Sequence, residues 1–101
     1  MDAADGTLTV EQDGTQLKLR GPLGFTTARA GLAALADRLP GVREIDLSGI
    51  TQADSAGLAL LLECLKRVPA GQLRFGSPPR QLLALARAMA LASLFEAPQA
   101  D

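Results

Sequence analysis

The stretch that most constrains this chain is residues 42–67, VREIDLSGITQADSAGLALLLECLKR. Val42–Leu47 is short, largely apolar and bounded by Pro40-Gly41 and Ser48-Gly49, the pattern of a central strand. Ile50–Asp54 reads as a loop. A helix is expected from near Ser55 to about Val68, stopped by Pro69 and Gly71, with Leu58, Leu61, Leu62 and Leu65 as its buried stripe. A buried strand that feeds an amphipathic helix is the repeating unit of an α/β domain.

The flanking sequence extends that unit. Thr7–Glu11 and Gln16–Arg20 alternate apolar and polar residues around Asp13-Gly14, which predicts a β-hairpin with one polar face. Gly21-Pro22-Leu23-Gly24 breaks the pattern. Phe25, Ala28, Leu32, Leu35 and Leu39 then recur at three- and four-residue steps, so a first helix is expected, capped by Thr26 or Thr27 and ended by Pro40-Gly41. Gln72–Phe75 reads as a strand with Leu73 and Phe75 inward, and Ser77-Pro78-Pro79 as a turn. A third helix is expected over Arg80–Leu91, with Leu82, Leu85, Ala86 and Met89 inward. Leu94 and Phe95 should fold back onto the core, and Ala97–Asp101 reads as a frayed tail. The order β-β-α-β-α-β-α fits parallel crossover units. The expected architecture is a mixed sheet of four or five strands with helices mainly on one face.

At 101 residues the chain is the size of one domain, expected to span 1–101 with an ordered core over 7–96. There is no histidine, which removes the commonest general base and metal ligand. A single cysteine, Cys64, allows no internal disulfide or cysteine-rich metal site. Cys64 reads as a packing residue, with no basic residue in the preceding turn to lower its pKa. The net charge is −1, and Trp and Tyr are absent, so neither a basic face nor a stacking platform for nucleic acid is expected. Leu58–Leu62 is an apolar run that no other exceeds in length, far short of the roughly 20 residues a spanning helix needs. Met1–Gly6 lacks the features of a signal peptide, and with a free thiol the expected compartment is the cytoplasm. Arg80 and Arg87 are too few to bind an anionic lipid surface. Any membrane association is expected to be indirect.

The chemistry-bearing residues concentrate at Asp54-Ser55-Ala56-Gly57. Ser55 should sit at or beside the helix N-cap, its hydroxyl able to accept from an unpaired N–H, and Gly57 would let the first turn approach neighbouring backbone. Simple capping is one reading. A hydrolase elbow is another, since Ala53-Asp54-Ser55-Ala56-Gly57 nearly matches Gly-x-Ser-x-Gly. Ala53 replaces the first glycine, however, and Lys66 lies about three turns down the same helix, too far to act as base. Phosphate binding fails for want of a glycine-rich phosphate loop and because Asp54 would repel an anion. No catalytic residue, metal site or cofactor is expected. The remaining reading is recognition of a partner protein. With Leu58, Leu61, Leu62 and Leu65 inward, the opposite side of the helix would carry Ala56, Leu60, Glu63 and Arg67, leaving Leu60 as an apolar side chain on an outer face.

The sequence here resembles the STAS domain family over nearly its whole length. The resemblance rests on Ile45-Asp46-Leu47-Ser48, on Asp54-Ser55-Ala56-Gly57-Leu58 with Leu60-Leu61-Leu62 following, and on Gly76-Ser77-Pro78 before an apolar helix. It implies a STAS fold and a non-catalytic, protein-binding role with Asp54, Ser55, Ala56, Gly57 and Leu60 as the docking residues. Two branches of the family match. One is the STAS subunit of Mla-type phospholipid transporters, whose partner is the ABC transporter ATPase subunit at the inner membrane. The run Asp54–Leu62 is closer to this version. The other is the anti-sigma factor antagonists, in which an anti-sigma kinase phosphorylates the serine matching Ser55. Antagonists usually carry an acidic residue after the second strand, where this chain has Gly21-Pro22-Leu23-Gly24-Phe25-Thr26-Thr27-Ala28. The Mla-type role is the first expectation and the antagonist role the alternative. Weak self-association through the same face is also expected of the free domain.

Overall fold

The computed structural model describes residues 7–95. Strand β1 (Thr9–Asp13) and strand β2 (Gln16–Leu23) form the hairpin, antiparallel, with Asp13 opposite Gln16. Gly14 and Thr15 therefore make a two-residue turn, and Gly14 takes the left-handed φ of +62° that its first position favours. Helix α1 (Ala28–Ala36) leads to strand β3 (Glu44–Ala53), helix α2 (Ser55–Lys66) to strand β4 (Arg74–Gly76), and helix α3 (Arg80–Ala88) to a 3-10 turn at Ala92–Phe95. β3 pairs in parallel with both β2 and β4, giving a mixed four-stranded sheet in the order β1-β2-β3-β4 with the helices packed against it. Parallel neighbours need a crossover, and α1 and α2 supply it.

The alternation sets the two faces of the sheet. Leu17, Leu19, Leu23, Ile45, Leu47, Ile50 and Phe75 are buried in one core with Leu35, Leu39, Leu58, Leu61, Leu82 and Ala86. The intervening residues carry cross-strand ion pairs instead: Arg20–Glu11 at 3.5 Å, Lys18–Asp46 at 3.9 Å and Arg74–Glu44 at 3.8 Å. Such solvated pairs contribute about 0–1 kcal/mol each; they keep this face wet.

Several boundaries differ from the sequence expectation. β3 runs through Ser48-Gly49 and on to Ala53, so the expected loop at Ile50–Asp54 is mostly strand. Gly49 marks a shift in register, from Lys18↔Asp46 to Arg20↔Gly49, rather than an end. A Cβ there would stand 2.8 Å from the Leu19 carbonyl oxygen, so glycine lets the two strands close up. β2 likewise continues through Gly21-Pro22 to Leu23, with a second shift between Gly21 and Pro22. The β1–β2 register ends at Arg20, and Pro22 lies past it, where proline is tolerated.

The helices are shorter than expected. α1 ends at Ala36, although a further turn, Leu39 N–H to Leu35 O at 3.1 Å, still buries Leu39. α2 ends at Lys66, leaving Leu62 and Leu65 half-buried. α3 ends at Ala88, so Met89 is exposed rather than inward. Its terminus is closed by Leu91 N–H to Ala86 O (2.6 Å) and Ala90 N–H to Arg87 O (3.1 Å), with Ala90 at φ +60°, the Schellman pattern. Phe95 does fold back, its ring edge-on to Phe75 at 6.0 Å. The tail expected at Ala97–Asp101 lies outside the described residues, as does Met1–Gly6.

Candidate functional site

The site is built where the carboxyl ends of β2 and β3 meet the start of α2. A single residue, Asp54, joins β3 to α2. It adopts an extended conformation (φ −134°, ψ −172°) and is the N-cap. Its Oδ1 accepts from the N–H groups of Ala56 (2.9 Å) and Gly57 (3.2 Å), satisfying two otherwise orphaned donors. Its Oδ2 accepts from the N–H of Phe25 at 3.0 Å. These bonds, that from Phe25 foremost, hold the carboxyl below the usual carboxylate range despite some desolvation. Capping therefore belongs to Asp54. Ser55 is the first residue of α2, exposed, and its hydroxyl makes no hydrogen bond among the described residues.

The docking residues expected from the sequence divide in the structure. Asp54 and Ser55 are exposed and Ala56 is half-buried, all at one end of α2. Gly57 is buried beneath them, and a Cβ at this position would overlap the Leu23 carbonyl. Its role is to let the first turn of α2 sit on the end of β2. Leu60 is buried, at 3% exposure, which corrects the expectation that it faces outward. The cause is α1, which packs beside α2: a Cβ at Gly31 of α1 would stand 3.2 Å from Leu60 Cδ1. A helix clamped between a sheet and a second helix has two apolar sides, not one.

Two features were not legible in the sequence. Phe25 was expected to begin the buried stripe of α1, yet it is 83% exposed. The chain turns before the helix starts, with Thr27 N–H and Ala28 N–H both on the Gly24 carbonyl (3.0 and 2.7 Å). Thr27 holds that turn by donating its hydroxyl to Pro22 O (2.9 Å) and accepting from Gly24 N–H (3.0 Å). It occupies the N-cap position of α1 but makes no side-chain capping bond. The stripe Ala28, Leu32, Leu35, Leu39 is complete without Phe25, which was the available signal. The second feature is a shallow groove of about 340 Å³ between α1 and α2, lined by Ala28, Arg29, Leu32, Ala56, Ala59 and Glu63 with Leu60 in its floor. A smaller cleft of about 210 Å³ lies between Phe25, Thr26, Gln52 and Asp54.

Among the described residues no group of three His, Cys, Asp or Glu could hold a metal ion. Lys66 lies at the far end of α2, 3.8 Å from Glu63. Cys64 is buried, and that burial pushes its thiol up to about 11, so it stays protonated. No described helix is long and apolar enough to cross a membrane.

Comparison with known proteins gives three results. Among solved structures the chain is similar to the anti-sigma factor antagonist SpoIIAA in its unphosphorylated form, at 16% identity and a TM-score of 0.68 over 92% of this chain and 89% of that one. At that identity the likeness is one of fold. It is also similar to part of the crystal structure of Mglu, at 31% identity and a TM-score of 0.50 over 71% of this chain and 20% of that one. No curated protein matches. The family model described as "Mlab, STAS domain" matches residues 7–96, and the chain belongs to the STAS domain family.

Proposed function

We propose that this chain is a non-catalytic interaction domain that acts as an anti-sigma factor antagonist, docking its partner at the start of α2 and released by phosphorylation of Ser55. The observation that carries this is the exposed Ser55, its hydroxyl without a hydrogen bond among the described residues, directly after Asp54, whose carboxylate holds the N–H of the exposed Phe25. Phe25 lines the cleft with Thr26, Gln52 and Asp54, and an exposed aromatic there has the character of an interface residue. The likeness in fold to an antagonist over nearly the full length of both chains supports the same reading. Phosphate adds about −1.5 to −2 charge. The helix N-terminus returns about 1 kcal/mol for a nearby anion, whereas desolvating an unpaired charge against a partner costs several kcal/mol. Asp54 adds repulsion, so the modified form should let go. On this reading the protein works in the cytoplasm.

A second reading is favoured by the description of the matching family model and by the run Asp54–Leu62: the same face docks the ABC ATPase subunit of an Mla-type phospholipid transporter, which would bring the protein to the inner membrane. Titration calorimetry against the anti-sigma kinase and against the Mla-type ATPase encoded in the same genome separates them. The first reading expects binding to the kinase, weakened at least tenfold by Ser55→Glu and by Phe25→Ala, and turnover of Ser55 by the kinase with ATP. Binding to the ATPase alone would establish the second. Binding to neither, or affinities unmoved by both substitutions, would contradict the docking face.

A further inference from the structure

The Asp54 carboxylate joins two parts of the proposed docking face that are far apart in sequence. One oxygen caps α2 through Ala56 and Gly57; the other holds the backbone N–H of Phe25, 29 residues away. The fit is close, since a Cβ on Gly24 would come within 2.7 Å of Oδ2. The turn that carries Phe25 is closed on itself by Thr27, so it is placed as a unit, and the Phe25 N–H bond ties that unit to α2.

We infer that Asp54 is a relay: negative charge on Ser55 releases the Phe25 N–H by driving the Asp54 carboxylate away from it. This rests on the reading of Ser55 as a modified residue and adds how the modification reaches the aromatic anchor. Phosphorylation replaces the Ser55 O–H with an O–P bond, the phosphoryl coming from a nucleoside triphosphate, the diphosphate leaving and the proton going to solvent. The new phosphate stands one residue from Asp54. It repels the carboxylate and competes for the same helix N–H groups, which bind a dianion better than a monoanion. With Asp54 displaced, the Phe25 N–H loses its acceptor, while the backbone bond from Asp54 N–H to Leu23 O (3.3 Å) still holds the end of β2.

The test uses the free chain and no partner, so its outcome is independent of which protein docks. Backbone amide exchange and amide proton shifts are measured by NMR for the wild type, for Asp54→Asn, for the chain carrying phosphoserine at position 55, and for the two changes combined. Asparagine is a good N-cap and keeps one oxygen for α2, but it turns an amide N–H toward the N–H of Phe25. Asp54→Asn should therefore leave α2 protected while Phe25 exchanges about tenfold faster or more, as expected for loss of a charge-assisted hydrogen bond, and moves upfield. Phosphoserine at 55 should do the same, and the combination should add nothing further at Phe25. A Phe25 amide unmoved by phosphoserine, with changes confined to Ala56 and Gly57, would overturn the relay. So would fully additive effects at Phe25.

Discussion

Ala90 sits in the left-handed region, at φ +60°, to close α3. That conformation costs an alanine roughly 1–2 kcal/mol relative to glycine, part of which glycine returns in unfolded-state entropy. Ala90→Gly should therefore stabilise the fold by about 0.5–1 kcal/mol, read as a higher urea midpoint with an unchanged slope. Asp54 works in the opposite sense. Removing its cap with Asp54→Ala should cost about 1 kcal/mol. Its carboxyl, held down mainly by the Phe25 N–H, and that of Asp46, held down mainly by the Ser48 N–H, both have pKa values below their ordinary ones. A carboxyl whose folded pKa is depressed contributes stability that is complete above about pH 5 and is lost as the pH falls through its folded value. Urea midpoints at pH 6 and pH 3 should thus differ less for Asp54→Asn than for the wild type. Residue identity made the cap at this junction legible but not its owner. Asp and Ser are equally good caps by type, and only the extended conformation at Asp54 decides between them.

At the scale of elements, α2 decides how the sequence is read. Leu58, Leu61, Leu62 and Leu65 were assigned to one inner stripe and Leu60 to the outer face; Leu58 and Leu61 are fully buried. The buried side of α2 is broader than that stripe because α1 packs beside it and takes Leu60, a contact between elements some 25 residues apart that no local periodicity reports. Leu60→Asp is consequently a folding mutation: a charge buried without a partner should abolish the cooperative transition, and Leu60→Ala should cost about 2–5 kcal/mol. Ala59 is exposed on the groove, so Ala59→Asp should stay within about 0.5 kcal/mol of wild type. Circular dichroism melts of the three variants check this split. Strands were misread for a related reason. Ser48-Gly49 and Gly21-Pro22 carry the composition of breakers, yet each lies at a shift in the β2–β3 register, and pairing with a distant strand carries the chain through them.

In the whole molecule the two faces of the sheet divide the work. The core face and its helices make one continuous cluster from Leu17 to Ala86, so unfolding should be two-state, with coincident transitions by far-ultraviolet dichroism and by NMR intensity. The opposite face is a set of cross-strand ion pairs that needs no cover. The alternating strands made this division, the element order and the mixed sheet legible in the sequence, because burial on one side is a period-two property. The proposed docking face was only half legible. Ser55 and Ala56 announce themselves by position, whereas Phe25 joins them through a hydrogen bond that only the folded chain makes. Chemical-shift mapping tests the central claim most directly, by titrating the isotope-labelled chain with the anti-sigma kinase. The account predicts that the perturbed amides cluster at Phe25, Thr26, Ser55, Ala56 and Ala59, and that the perturbation is lost when Ser55 carries phosphate. Perturbations centred on Lys18, Glu44 and Asp46, on the charged face of the sheet, would contradict it.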